Sequence, residues 1–231
     1  MTPTLSPAVT DEAVITSYLS DIGAESITKI IFDGLMSVPK RISSMFFYDE
    51  HGSKLFEAIT KLPEYYLTRT EKKLIFNAAL EIGPELRDMD IVELGSGDCS
   101  KISLLLGGIP HVFLNECRYI PVDISESAVR ESAEILSRRF PGLNISGIII
   151  DFLRQMKRIP CEKKRLFCFF GSTLGNLDAA QAVRFFDELG EIMQPSDEML
   201  LGIDAVKHPL ILERAYNDSQ QVTAAFNRNI L

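Results

Sequence analysis

The chain has 231 residues, 46% of them hydrophobic, and its 32 acidic against 24 basic side chains leave a formal charge of −8. That balance excludes a nucleic-acid partner, because affinity for a phosphate backbone needs clustered Lys and Arg. The length suits one large α/β core, or one domain with an appendage.

The single basic cluster, Lys163-Lys164-Arg165, reads as a solvated loop before a strand. No apolar run approaches the roughly 20 residues needed to span a bilayer. The first residues lack a signal peptide's basic and apolar regions. Four cysteines (99, 117, 161 and 168) show no C-x-x-C pairing, so free thiols in a reducing cytoplasm are expected. Three histidines, at 51, 111 and 208, do not stand at metal-ligand spacing, and no metal site is expected.

Residues 1–10 are polar and carry prolines, and are expected to fray. From 11 to 37 the apolar spacing of Val14, Ile15, Tyr18 and Leu19, then Ile27, Ile30, Ile31 and Leu35, predicts two short helices. A loop over 39–48 carries Phe46, Phe47 and Tyr48. A helix over 53–60 ends before Pro63. Thr68 with Glu71 three residues on reads as a capping box opening a helix that runs to 82. A strand–helix alternation follows. Strands are predicted at 90–95, 119–124, 145–151, 166–171 and 198–204, with helices at 99–107, 126–139 and 178–193 and a last one starting near Pro209. Near-continuous apolar strands separated by helices predict a parallel sheet covered on both faces.

The chemistry concentrates where these strands end. Asp90-Ile-Val-Glu-Leu-Gly-Ser-Gly97 breaks an apolar run into a Gly-x-Gly turn, and Asp123 closes Tyr119-Ile-Pro-Val-Asp-Ile-Ser125. Strand, glycine turn, helix, strand and acid describe a nucleotide-binding unit, in which the glycines admit a ligand close to the backbone and the acid takes two ribose hydroxyls. Cys99 and Ser100 stand where a dinucleotide fingerprint needs its third glycine. This disfavours a nicotinamide-dependent oxidoreductase and points to a nucleoside without a pyrophosphate, S-adenosylmethionine above all. Glu93, Gly95 and Gly97 would hold its methionine part, although a plain tight turn has the same pattern. Asp123 fits the ribose or a helix N-cap. Asp151-Phe152 fits adenine or a simple turn. Phe169-Phe-Gly-Ser-Thr-Leu-Gly-Asn176 ends in a polar tip on the ligand side of such sheets, where Asn176 could orient an amine or carboxylate, or cap the next helix. Tyr48, Tyr65 and Tyr66 could enclose a cation or pack in the core.

These segments together resemble the histidine-specific Nα-methyltransferases of ergothioneine biosynthesis. The resemblance rests on Tyr48-Asp-Glu-His-Gly-Ser-Lys-Leu-Phe-Glu57, on Leu62-Pro-Glu-Tyr-Tyr66 with Thr68, Arg69 and Glu71, and on Glu93-Leu-Gly-Ser-Gly97 with Lys101. Pro121-Val-Asp-Ile-Ser125, Asp151-Phe152, Gly171-Ser-Thr-Leu-Gly-Asn176 and Phe226-Asn-Arg-Asn229 continue it to the end of the chain. It implies a Rossmann-like class I methyltransferase fold, an α/β parallel sheet with an N-terminal helical region on the substrate side. Gly95, Lys101, Asp123, Asp151 and Phe152 would bind S-adenosylmethionine. Tyr65 and Asn176 would hold the amino acid at the reacting centre, Tyr216 would contact its carboxylate, and Tyr48 would lie nearby. The resemblance implies N-methylation of an amino acid's α-amine, histidine first; relatives of the family methylate tryptophan-type substrates, so a tryptophan-type substrate is one alternative and a cofactor-binding fragment without independent activity the other. The resemblance divides the chain into residues 1–66 on the substrate side, 67–205 as the cofactor domain, and 206–231 as the start of an incomplete substrate-domain insertion. Sheets of this type close with two further strands, so the chain reads as truncated, with a free sheet edge inviting a second copy.

Overall fold

The computed structural model describes residues 13–19 and 24–230. Six strands form one sheet: β1 (Val14–Ser17), β2 (Met89–Leu94), β3 (Arg118–Asp123), β4 (Asn144–Ile149), β5 (Lys164–Phe169) and β6 (Glu198–Leu201). They lie in the order β1-β4-β3-β2-β5-β6, every neighbouring pair parallel. The helices are α1 (Ala24–Met36), α2 (Glu50–Thr60), α3 (Tyr66–Ile82), α4 (Ile102–Leu106), α5 (Glu126–Arg139), α6 (Phe152–Gln155), α7 (Ala179–Ile192), α8 (Pro209–Tyr216) and α9 (Val222–Arg228).

Side chains alternate across the sheet, so each strand feeds two cores. Ile91, Tyr119, Ile145 and Leu166 face Ile75 and Ala79 of α3, Leu105 of α4 and Leu136 of α5. Val92, Val122, Ile148 and Phe167 face the other way, onto Phe185 and Leu189 of α7. Burial on both faces is why these strands are apolar throughout.

Three expectations need correction, the third at Arg165 below. The first of the two helices predicted over 11–37 is strand β1, paired in register Val14↔Ser146 to Ser17↔Ile149. Val-Ile-Thr-Ser suits a pleated edge better than a helix. Gly147 lets it in: a Cβ there would stand 2.6 Å from Val129 and 3.2 Å from Ile15. The fraying expected of residues 1–10 concerns residues outside those described. The capping box is also absent, since α3 begins at Tyr66, its N-cap Tyr65 makes no side-chain cap bond, and Thr68 is buried inside the first turn. Glu71 has a distant partner instead.

A third apolar cluster stands apart from the sheet. Ile59, Leu62, Tyr65 and Leu67 pack with Ala215 and Phe226, so residues before the α/β alternation and residues after it share one core. Phe47 stacks on Phe226 at 5.0 Å, and Tyr48 and Phe56 meet the same ring at 5.6 and 5.8 Å.

At the N-terminal pole of the sheet Arg165, expected in a solvated loop, is instead the second residue of β5 and fully buried, its charge taken by Asp197. Its Nε and Nη2 donate to Asp197 Oδ2 at 3.0 and 2.7 Å, and its backbone N donates to Asp197 Oδ1 at 2.8 Å. Asp197→Ala strands this guanidinium without a counter-charge and is expected to cost about 3–5 kcal/mol. Chemical denaturation measures it, and a loss below about 1 kcal/mol would contradict the reading.

Candidate active site

The C-terminal ends of β2 and β3 build the first part of the site. After Leu94 the backbone turns through Gly95 (φ 70°) and Gly97 (φ 46°), the left-handed region that glycine enters without strain. Gly95 N and Ser96 N donate to Val122 O at 2.8 and 3.2 Å, and Ser132 Oγ donates to Gly97 O at 3.0 Å. Asp123 accepts from Gly97 N and Ser125 N, both at 2.9 Å. The N-cap of α5 is Ser125, whose hydroxyl accepts from Ala128 N. Asp123 is therefore not that cap, and its half-buried carboxylate braces the turn with lone pairs to spare. Burial raises its pKa, while the amides of Gly97 and Ser125 pull the other way.

The turn fits a closely approaching nucleoside. A Cβ on Gly97 would meet nothing within 4 Å, and one on Gly95 would meet only Phe152 Cε1 at 3.8 Å. Ser96 Oγ is buried with no hydrogen-bond partner among the described residues. Phe152 is fixed edge-on by Phe169 and Phe185 at 5.7 and 6.2 Å, which leaves an aromatic ring beside the glycines.

Other residues expected on the cofactor side already have protein partners. Asp151 caps α6 through Leu153 N at 3.0 Å and pairs with Arg154, the turn role that its position also allowed. Lys101 Nζ lies 2.8 Å from Glu71 Oε2. Glu93 is 2% exposed and sits beneath the turn, its Oε2 accepting from Tyr119 at 2.5 Å. Burial pushes its pKa up to about 8.

The second part of the site is the aromatic layer. Asp49 Oδ1 accepts from Gly52 N at 2.7 Å as the cap of α2, and from Asn229 Nδ2 at 2.8 Å. A Cβ on Gly52 would fall 1.7 Å from Phe47 O, so only glycine fits. Arg69 donates to the carbonyls of Leu62, Pro63 and Tyr65 at 2.8, 2.7 and 3.1 Å, fixing the Leu-Pro-Glu-Tyr-Tyr loop. Tyr65 then meets Tyr216 edge-on at 5.8 Å. Burial, with the charges of Asp123 and Tyr216, pushes the Tyr48 hydroxyl up to about 12. Burial, with Tyr216 and Tyr48, also raises Tyr65. The structure thus brings Tyr48, Tyr65 and Tyr216 within reach of one another, and Tyr48 within the field of Asp123.

The third part follows β5. Gly171 and Ser172 both adopt left-handed conformations, φ 83° and 53°, before the turn Thr173–Asn176. A non-glycine residue held there is a strained feature of the kind found at ligand sites. Asn176 is exposed. The helix after it is capped by Asp178 in a full capping box with Gln181, so Asn176 is not a cap.

Three polar partners were not legible as site residues. Asp204 accepts from Tyr66 and from Lys207, whose ammonium stands 5.0 Å from the Tyr66 ring. Burial opposes it, but the bonds from Lys207 and Tyr66 hold Asp204 below the usual carboxylate range. Glu71 is the third, and only its long-range contacts reveal it.

Glu93 gives a pH signature. Unfolded, it ionises near 4.3; folded, it keeps its proton up to about pH 8. The folded state binds the extra proton in that window, so its contribution to stability falls as pH rises through it, by at most about 1.4 kcal/mol per pH unit. Glu93→Gln is expected to flatten the stability profile between pH 5 and 8. An unchanged slope in urea denaturation would contradict the assignment.

Residues 27–231 match the family described as histidine-specific methyltransferase, SAM-dependent. The chain is 39% identical over 218 residues to the histidine N-alpha-methyltransferase of Mycolicibacterium smegmatis, covering 94% of this chain and 68% of that protein. For the Mycobacterium tuberculosis enzyme of the same name the identity is 38%, covering 91% of this chain and 65% of that protein. The chain thus spans about two thirds of these relatives. Ergothioneine biosynthesis protein 1 of Neurospora crassa is 31% identical over 83% of the chain and 22% of its own length. In fold alone, the plantazolicin methyltransferase BpumL in complex with SAH is similar, with TM-score 0.51 at 12% identity, over 90% of this chain and 72% of that one. The carbon methyltransferase CurJ gives 0.53 at 12%, over 91% and 54%. The glycine turn, the acid on β3 and the tyrosines above them belong to a chain that is a member of the histidine-specific, SAM-dependent methyltransferase family.

Proposed function

We propose that this chain carries the cofactor-binding and amino-acid-holding parts of an S-adenosylmethionine-dependent Nα-methyltransferase that converts histidine to trimethylhistidine. The observation that carries the reading is the aromatic layer in which Tyr65 meets Tyr216 and Tyr48 packs on Phe226, with the charge of Asp123 felt at the Tyr48 hydroxyl and Asp123 itself bracing the Gly95–Gly97 turn. In this reading residues 67–205 supply the cofactor side, and the segments 1–66 and 206–231 supply the amino-acid side.

S-adenosylmethionine supplies an electrophilic methyl on a sulfonium. Asp123 accepts the two ribose hydroxyls, Phe152 offers its ring to the adenine, and Lys101 attracts the cofactor's carboxylate. Tyr65 and Asn176 hold the substrate amine, and Tyr216 donates to the substrate carboxylate. An α-ammonium has no lone pair and must lose its proton to water before the nitrogen can attack. The tyrosines do not take that proton. Their raised pKa values keep Tyr48 and Tyr65 as neutral donors at physiological pH, so they orient rather than deprotonate. The rate gain then comes chiefly from alignment, which in well-oriented systems reaches about 7–11 kcal/mol.

A second reading, a chain that binds cofactor but needs further polypeptide to turn over, is favoured by its span of about two thirds of the two mycobacterial relatives. One experiment separates the readings. Purified chain is incubated with methyl-labelled S-adenosylmethionine and histidine or tryptophan, alongside calorimetric titration with S-adenosylhomocysteine and NAD. The proposal expects heat from S-adenosylhomocysteine, none from NAD, and mass gains of one to three methyl groups on histidine. Binding without transfer supports the second reading. Transfer to tryptophan alone contradicts the substrate assignment, and no binding contradicts both readings.

A further inference from the structure

Glu71 stands in the second turn of α3 and reaches across 100 residues of sequence. Its Oε1 accepts from Gly171 N at 2.7 Å, at the tip of β5, and its Oε2 pairs with Lys101 Nζ at 2.8 Å, just before α4. Both side chains are under one-fifth exposed. The surrounding backbone is shaped to admit this carboxylate. A Cβ on Gly202, just past β6, would fall 2.1 Å from Oε1, and one on Gly171 would fall 3.0 Å from Lys101 Nζ. Gly171 itself takes φ 83° and leads into the strained Ser172 and the turn carrying Asn176. Five residues before Glu71 the same helix begins at Tyr66, and the charge of Glu71 is felt at the Tyr65 hydroxyl. One carboxylate therefore touches the lysine on the cofactor side, the strand tip on the amino-acid side, and the helix that presents the tyrosines.

We propose that Glu71 is the positioning residue that sets Lys101 and the Gly171–Asn176 tip relative to one another, its two oxygens serving two different ligand sites. The inference rests on the methyltransferase reading and deepens it. A lysine ammonium on a four-carbon stem has much rotamer freedom to lose, and the pair with Glu71 removes it before the cofactor arrives. The bond to Gly171 N does the same for the tip: Thr173 Oγ1, Gly175 N and Leu177 N bond to Phe170 O, Ser172 O and Leu174 O within the turn, whereas the bond from Gly171 N ties the turn to α3.

The two oxygens can be separated by substitution. In Glu71→Gln an amide oxygen still accepts from Gly171 N, but the charge facing Lys101 is gone. Glu71→Ala removes both. S-adenosylhomocysteine affinity is expected to fall about tenfold in both variants and in Lys101→Met, with no further fall in Glu71→Gln/Lys101→Met. Histidine affinity for the S-adenosylhomocysteine-saturated protein should stay within about twofold in Glu71→Gln and fall about tenfold or more in Glu71→Ala. Hydrogen exchange of the Gly171 amide, read without any ligand, should remain slow in the wild type and in Glu71→Gln and accelerate in Glu71→Ala. Equal behaviour of Glu71→Gln and Glu71→Ala toward histidine and in Gly171 exchange would overturn the inference. Wild-type affinity for both ligands in Glu71→Ala would overturn it as well. A wild type that fails to bind S-adenosylhomocysteine sinks the functional reading instead, and the exchange data still decide the anchoring of the tip.

Discussion

Phe226 lies among Phe47, Tyr48 and Phe56, and this contact joins segments separated by almost the whole α/β unit. Aromatic pairs of this kind add about 0.5–1.5 kcal/mol each beyond the apolar area they bury. The bond from Asn229 to the capping carboxylate of Asp49 fixes the register of the join, since Asp49 already accepts from Gly52 N. Neither end could build a core alone: α2 is eleven residues long and α9 seven. Packed together, they form a third core, which holds Tyr48 against Phe226 and Tyr65 against Tyr216.

The two poles of the sheet have opposite characters. At the N-terminal pole, charges are locked: Arg165 on Asp197, and Arg118 on the fully buried Asp90 and on Glu162. Such buried pairs contribute little net stability but are costly to break, so they hold geometry. At the C-terminal pole the backbone turns through positive φ at Gly95, Gly97, Gly171 and Ser172, and Ser96 Oγ has no partner among the described residues. A rigid base beneath strained, glycine-rich tips is the arrangement in which binding residues on loops are positioned by a scaffold. Desolvation raises Glu93 beneath the glycine turn, and Tyr48 and Tyr65 in the aromatic cluster, in the same direction, so each is held as a neutral hydrogen-bond donor.

What could be read from sequence was what is encoded locally. The glycine turn, Asp123 at a strand end and the helix over 126–139 follow from patterns a few residues long, and the structure places each there. Strand β1 was misread because four β-branched or small residues in a run continue the apolar spacing of the helix after them, and only pairing with β4 decides between the two. Glu71 was misread for a related reason. Its spacing from Thr68 mimics a capping box, whereas its partners lie about 30 and 100 residues away. The signature around Tyr48 and Gly52 was visible as a motif, but its cause was not. Asp49, Gly52, Phe226 and Asn229 form one structural unit, and no local pattern links position 52 to position 229.

The central claim of the proposal is that the sheet tips read the cofactor while the segments joined at Phe226 read the amino acid. Calorimetry on two variants tests it most directly: Asp123→Asn and Tyr216→Phe, each titrated with S-adenosylhomocysteine and then with histidine. The account predicts that Asp123→Asn loses S-adenosylhomocysteine affinity by about tenfold or more, because one charged acceptor of two hydroxyls is replaced by a neutral amide. It predicts that Tyr216→Phe keeps S-adenosylhomocysteine within about twofold and weakens histidine by about tenfold. Equal losses of both ligands in both variants, or undiminished histidine affinity in Tyr216→Phe, would contradict it.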